Sequence, residues 1–258
     1  MKVLIIGEII GKPGRNKVKE ILPEILKKYK PNFVVANGEH LSGGKGLTPE
    51  KVDEMVKAGI DFFTTGNHVF AHPEINEYLE DPKAPVVRPA NYQPSVNGRE
   101  FKICEVGKKK ILIFNLIGKS FLRNEFENPF AKADEILKKE TADIVIVDMH
   151  ADATSEKVFM GRYLDGRANI VFGSHTHVPT SDLRILPGGT FYVTDIGMIG
   201  PVDSVIGMDA KVSADRILHD KHTAYKVAAY GPSFLNGIFV EFDKEGKAEH
   251  FEKIEKII

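Results

Sequence analysis

Seven short apolar runs, each stopped by a small or polar residue, set the chain's architecture: KVLIIG (2–7), FVVAN (33–37), FFTTG (62–66), KILIFN (110–115), IVIVDM (144–149), NIVFG (169–173) and TFYVTD (190–195). Continuous runs of this length suit strands buried on both faces, as in a sheet covered by helices. Helical patterns lie between several of them, at RNKVKEILPEILKKY (15–29), TPEKVDEMVKAG (48–59) and PFAKADEILKKE (129–140). In the second, Thr48 is placed to cap the start, Pro49 to occupy the first helical position and Gly59 to end the helix. The alternation predicts βαβ units and a layered α/β fold with helices flanking the sheet. Two hairpins interrupt it, one about GKKK (107–110) and one across DKEGKA (243–248), so the central sheet is expected to be mixed.

No repeat, low-complexity stretch or linker divides the 258 residues, and one domain spanning 1–258 is the expectation. Lys and Arg number 35 against 36 Asp and Glu, so bulk charge draws the chain toward neither nucleic acid nor membrane. An anionic substrate must be attracted locally. The single cysteine, Cys104, forbids an internal disulfide and falls in the alternation of a strand. MKVLIIGEII is interrupted by Gly7 and Glu8 and reads as a first strand rather than a signal peptide; with no long apolar span anywhere, a cytoplasmic protein is expected.

The residues at the carboxyl end of each run carry the chemistry. Glu8 comes after the first; Gly38, Glu39 and His40 after the second; Asn67 and His68 after the third; His150 after the fifth; His175 and His177 after the sixth. The carboxyl ends of parallel strands lie along one edge, where ligands bind, so these residues are expected to converge. Five of the nine histidines are in the set and no cysteine is, which suits first-row divalent metals such as Zn, Mn, Fe or Co rather than a thiolate site. Read as strand residues, His175 and His177 start ~6.5 Å apart and can serve two metals ~3.5–4 Å apart. His72, His219, His222 and His250 stand outside the pattern and read as structural or surface residues. GGKG (43–46) lacks the spacing of a phosphate loop, and neither G-x-G-x-x-G after the first strand nor G-x-S-x-G occurs.

The order GE (7–8), NGEH (37–40), GNHVF (66–70), His150 and GSHTH (173–177) resembles the calcineurin-like metallophosphoesterases. VVANGE (34–39), RPANY (88–92), ATSEK (153–157), GSHTHVPT (173–180), ILPGGT (185–190) and GPVDSVIG (200–207) look like the bacterial YmdB-type branch, over residues 1 to about 216. The resemblance implies that fold, with ligands at strand ends, and two divalent ions per chain, Fe, Mn or Zn. Glu39 would bridge both ions. Glu8, His40 and His177 would complete one, and Asn67, His150 and His175 the other; His68 would be the general acid. It also implies phosphodiester hydrolysis by hydroxide attack, with 2′,3′-cyclic nucleotides among the substrates and RNA-derived ones and a homo-oligomeric state left open. The branch usually has Asp where this chain has Glu8 and Asn where it has His40, a pair of changes on one ion that reads as a coupled re-tuning. Arg15, Arg88 and Lys119 are candidate phosphate contacts. The alternatives are a phosphomonoesterase such as a nucleotidase, or a metal-stabilised regulatory protein with residual catalysis.

Overall fold

The computed structural model describes residues 1–122, 126–229 and 231–258. In chain order the elements are β1 (Lys2–Ile6), β2 (Glu8–Ile9), α1 (Gly11–Tyr29), β3 (Phe33–Asn37), α2 (Pro49–Lys57), β4 (Phe62–Thr64), α3 (Ile75–Glu80), β5 (Phe101–Val106) and β6 (Lys109–Ile117). Next come α4 (Pro129–Lys139), β7 (Ile144–His150), α5 (Thr154–Tyr163), β8 (Ile170–Ser174), β9 (Arg184–Ile185), β10 (Phe191–Val193), β11 (Met198–Pro201), α6 (Ala210–His219), β12 (Ser233–Phe242) and β13 (Ala248–Ile257). All seven expected strands and both hairpins are present.

Two mixed sheets face each other. One runs β2-β11-β12-β1-β3-β4 with β13 on β12; the other runs β5-β6-β7-β8-β10-β9. β1, β3 and β4 are parallel in the first, and β6, β7, β8 and β10 in the second. The continuous apolar runs now have a physical account, because each strand feeds two cores by turns. Val3, Ile5 and Val35 meet Ile111, Ile113, Ile146 and Phe172 between the sheets. Leu4, Ile6, Val34 and Ala36 pack outward under α1 and α2 with Val18, Leu22, Val52 and Met55. Leu112, Phe114, Val145 and Val147 pack outward under α4 and α5 with Ala133, Ile136 and Met160. The layers are therefore helix, sheet, sheet, helix, the layered α/β arrangement anticipated from the runs.

Local chemistry sets the helix ends. Asn128 Oδ1 accepts from the Phe130 and Ala131 amides and starts α4. Thr48 occupies the cap position of α2, with Pro49 first in the helix and Gly59 just past its end at φ 109°. α1 begins at Gly11, four residues earlier than its apolar pattern, because Pro13 and Gly14 fit a first turn where amide donors are not yet used. The patterns did not announce α3, α5 or α6.

Ile146 lies at the centre of the inter-sheet layer with 0% exposure, whereas Ile257 at the end of β13 is 64% exposed. Ile146→Ala is expected to cost about 2–5 kcal/mol in urea unfolding, and Ile257→Ala less than about 0.5 kcal/mol. Equal costs would mean that the inter-sheet layer is not the dominant core.

Candidate metal centre

The carboxyl ends of β1, β3 and β4 in one sheet meet those of β7 and β8 in the other. Glu8 opens β2, Glu39 and His40 sit in the turn after β3, Asn67 and His68 follow β4, and His150 ends β7. β8 stops at Ser174, so His175 and His177 lie beyond it, at φ 93° and 66°. The strand geometry expected for them is therefore corrected: two left-handed residues, costly for non-glycine side chains, send the imidazoles to different destinations. Held in a strand they would share one face.

Two donor groups result. Glu8, His40 and His177 form one; Glu39, His150 and His175 form the other. In the first, Glu8 Oε2 lies 3.3 Å from His40 Nε2 and 3.1 Å from His177 Nε2. In the second, His150 Nε2 lies 2.5 Å from Glu39 Oε2, 2.9 Å from His175 Nδ1 and 3.1 Å from Asn67 Oδ1. The groups adjoin, since the His175 amide donates to Glu8 Oε1. His68 belongs to neither; its amide donates to Glu39 Oε1 over 2.7 Å.

Three of the four donor imidazoles are fixed from behind. Nδ1 of His40 faces the Gly44 carbonyl and Nδ1 of His177 the Ile206 carbonyl, both at 2.8 Å, so each ring turns Nε2 inward. His150 Nδ1 meets Ser174 Oγ at 2.9 Å, and that hydroxyl donates to Asp148 over 2.6 Å. Asp148 also accepts from Asn37 and Thr64, which ties β3 and β4 to β7. The runs hid these supporting residues, although a carboxylate inside IVIVDMH was a visible sign. Lys45, the cation of GGKG, was also missed: with His68 it lines two cavities beside the site. The two arginine candidates are engaged elsewhere. Arg15 pairs with Glu54 and donates to the Leu41 carbonyl, and Arg88 donates to the Asn97 and Pro89 carbonyls. The Lys119 amide donates to Glu156.

The residues present fit a pair of divalent cations. Glu8 Oε2 and Glu39 Oε2 are buried and lack hydrogen-bond partners among the described residues, a costly state that a cation relieves. Metal bonds of about 2.0–2.2 Å set neighbouring donors about 3 Å apart, the spacing found around His150. Gly66 leaves the necessary room, because a Cβ there would collide with Glu39 Oε2 and His150 Nε2.

The family described as YmdB-like protein matches residues 4–254. The chain belongs to that family. It is 40% identical over 260 aligned positions to the 2′,3′-cyclic-nucleotide 2′-phosphodiesterase of Bacillus subtilis, covering 100% of this chain and 97% of the relative. A crystal structure described as a novel phosphatase from Mycoplasma pneumoniae superposes with a TM-score of 0.94 at 35% identity, covering 100% of this chain and 93% of that one. The NAD nucleotidase of Haemophilus influenzae shares the metallophosphoesterase fold, with a TM-score of 0.58 at 18% identity over 100% of this chain and 56% of that one.

Without cations this chain's cluster balances its own charge. Burial alone would raise both glutamates; instead His177 holds Glu8 well below the usual carboxylate range, and His150 brings Glu39 to about 2. Burial opposes charge on His150 and His177 too, yet Glu39 raises the first to about 8 and Glu8 the second to about 9. Burial pushes His68 and His175 down to about 4. A histidine raised by folding adds stability that is complete below its ordinary value of 6.5 and is lost as pH climbs through the folded value. Metal-stripped protein is therefore expected to lose Tm between pH 6.5 and 9, as read by calorimetry in chelator. A flat or rising Tm over that interval would show that these pairs do not hold the protons.

Proposed function

We propose that the protein is a dinuclear-metal phosphodiesterase that opens 2′,3′-cyclic nucleotides, with Glu8, Glu39, His40, Asn67, His150, His175 and His177 holding two ions and His68 serving as general acid. The observation that carries this reading is the pair of adjoining donor groups, each built on a buried carboxylate oxygen that imidazole nitrogens face within 3.3 Å, beside a cavity of about 310 Å³. The nitrogen and oxygen donors suit Zn, Mn or Fe. Donors arrive from both sheets, so residues 1–258 would act as one domain. Cyclic ends of RNA fragments present the same reacting group.

When bound, such a pair supplies water of lowered pKa and positive charge for the phosphoryl oxygens. The chain supplies the rest. Glu39 Oε1 is taken by the His68 amide, so Oε2 is the oxygen that Glu39 would offer to a cation. The Gly44 and Ile206 carbonyls and Ser174 keep three imidazoles in the tautomer that presents Nε2. In the reaction named for the Bacillus relative, a water oxygen bonds to phosphorus, the bond to O2′ breaks and a 3′-phosphate remains. O2′ leaves with a proton from His68. Burial keeps that imidazole neutral in the free protein, and the arriving phosphodiester anion favours its charged form. Lys45 lies where it can attract that anion. No helix among the described residues is long and apolar enough to cross a membrane.

His68→Ala is expected to lower kcat ~10²–10⁴-fold on a diester with an alkoxide leaving group, with metal content by elemental analysis near normal. A p-nitrophenolate leaving group needs less protonation, so its loss should be smaller. Equal losses on both substrates would contradict the general-acid assignment.

Glu8 and His40 stand in contact at 3.3 Å, where the branch usually has Asp and Asn. The four combinations of Glu8→Asp and His40→Asn should show an interaction of ~0.5–3 kcal/mol in metal affinity and kcat/KM, with the double change recovering part of the single losses. Strict additivity would mean the two positions are not tuned to each other.

A further inference from the structure

A second cavity adjoins the proposed metal centre. The first, of about 310 Å³, lies over His40, His175 and His177; the second, of about 520 Å³, is walled by Phe70, Tyr92, Phe121 and Phe126. Lys45 and His68 line both, so the general acid stands on their shared border. Resting on the diesterase reading, we propose that this aromatic cavity receives the base of the nucleotide whose phosphate is cleaved at the metal centre.

The chemistry sets the direction. His68 protonates the leaving oxygen, and that oxygen belongs to the ribose. Sugar and base must therefore lie on the His68 side of the phosphate, and the aromatic cavity, which Asn67 and His68 also line, opens there. Its walls suit a flat aromatic ligand. Phe70 and Phe126 meet Tyr92 edge-on, with centroids 5.3 and 5.0 Å apart and ring planes at 81° and 90°. Tyr92 Oη donates to the Asn67 carbonyl over 3.1 Å, which ties this wall to a candidate ligand. Phe121 is 84% exposed and held at φ 67°, a left-handed conformation that is unfavourable for a bulky residue. A ring kept in water by a strained backbone loses apolar contact in the free protein and recovers it when a base stacks on it. Stacking accepts every base, because each has a π face, so purines and pyrimidines should both be taken.

The test compares adenosine 2′,3′-cyclic phosphate with 1-O-methylribose 2,3-cyclic phosphate, which lacks the base, on Mn²⁺-loaded protein. In the unaltered chain the nucleotide should be favoured in kcat/KM by about tenfold or more, chiefly through KM, and Phe121→Ala should bring that ratio toward one. Phe121 is exposed, so the fold should tolerate the change. A second readout needs no turnover: calorimetry on metal-free protein should show adenosine 3′-monophosphate binding more tightly than 1-O-methylribose 3-phosphate, with the difference lost in Phe121→Ala. Equal kcat/KM on both cyclic substrates would overturn the base subsite and leave the diesterase reading standing. A preference that survives Phe121→Ala would overturn this placement of the base. Hydrolysis of neither cyclic substrate would overturn both readings.

Discussion

The Asp148 carboxylate, fully buried near the end of β7, is where the two sheets are fastened together at the site. It accepts from Asn37 at 2.9 Å and Thr64 at 2.5 Å in the facing sheet, and from Ser174 at 2.6 Å on its own. Burial pushes this carboxyl up to about 6, so near neutrality it is ionised and its donors must offset a large desolvation cost. Because Ser174 also faces His150 Nδ1, the contact that closes the sheets orients an imidazole of the candidate metal site as well. Fold and site are coupled through one carboxylate.

Around that point the protein departs from the rules its core obeys. The inter-sheet layer is apolar for most of its length, and at the strand ends it gives way to Asn37, Thr64, Asn115, Asp148 and Ser174. Asn115 donates to the Thr65 carbonyl, so this polar layer also bridges the sheets. Beyond it lie two buried carboxylate oxygens that accept no hydrogen bond from a fixed donor among the described residues and face only imidazole nitrogens, two histidines in left-handed backbone and a glycine whose missing Cβ leaves space beside Glu39. Each is unfavourable for a folded chain considered alone. Together they describe a place that the fold keeps unfinished so that a cation can complete it.

The sequence was legible where burial is dense and periodic. The seven runs became strands because each feeds two cores, and the eight proposed site residues stood out because polar groups at strand ends contrast with their surroundings. Helix α5 was hidden for the opposite reason. Its sheet-facing side carries Lys157, Met160 and Gly161, with Lys157 paired to Asp195 at 2.7 Å and Gly161 set where a Cβ would meet the Tyr192 ring. An ion pair and a glycine leave no apolar stripe to read. Arg15 and Arg88 could not be told from phosphate-binding arginines, because their carbonyl and carboxylate partners, Leu41 and Glu54 for one and Asn97 and Glu100 for the other, are brought to them only by the fold. The backbone angles of His175 and His177 were likewise out of reach, since nothing in GSHTH marks where β8 ends.

The site's donors are far apart along the chain: the contact between the His175 amide and Glu8 spans 167 residues. Loop closure over such distances is slow and entropically costly, and little of it is recovered until both sheets have docked. During synthesis Glu8, Glu39 and His40 emerge long before His150, His175 and His177, and each early group is an open set of ligands that a stray cation could occupy in the wrong geometry. Neither donor group can be assembled from one half of the chain, because each takes residues from before position 41 and after position 149. Each donor group is therefore complete only once both sheets have docked, so a matched set of donors for a cation exists in the folded chain and not in its early segments.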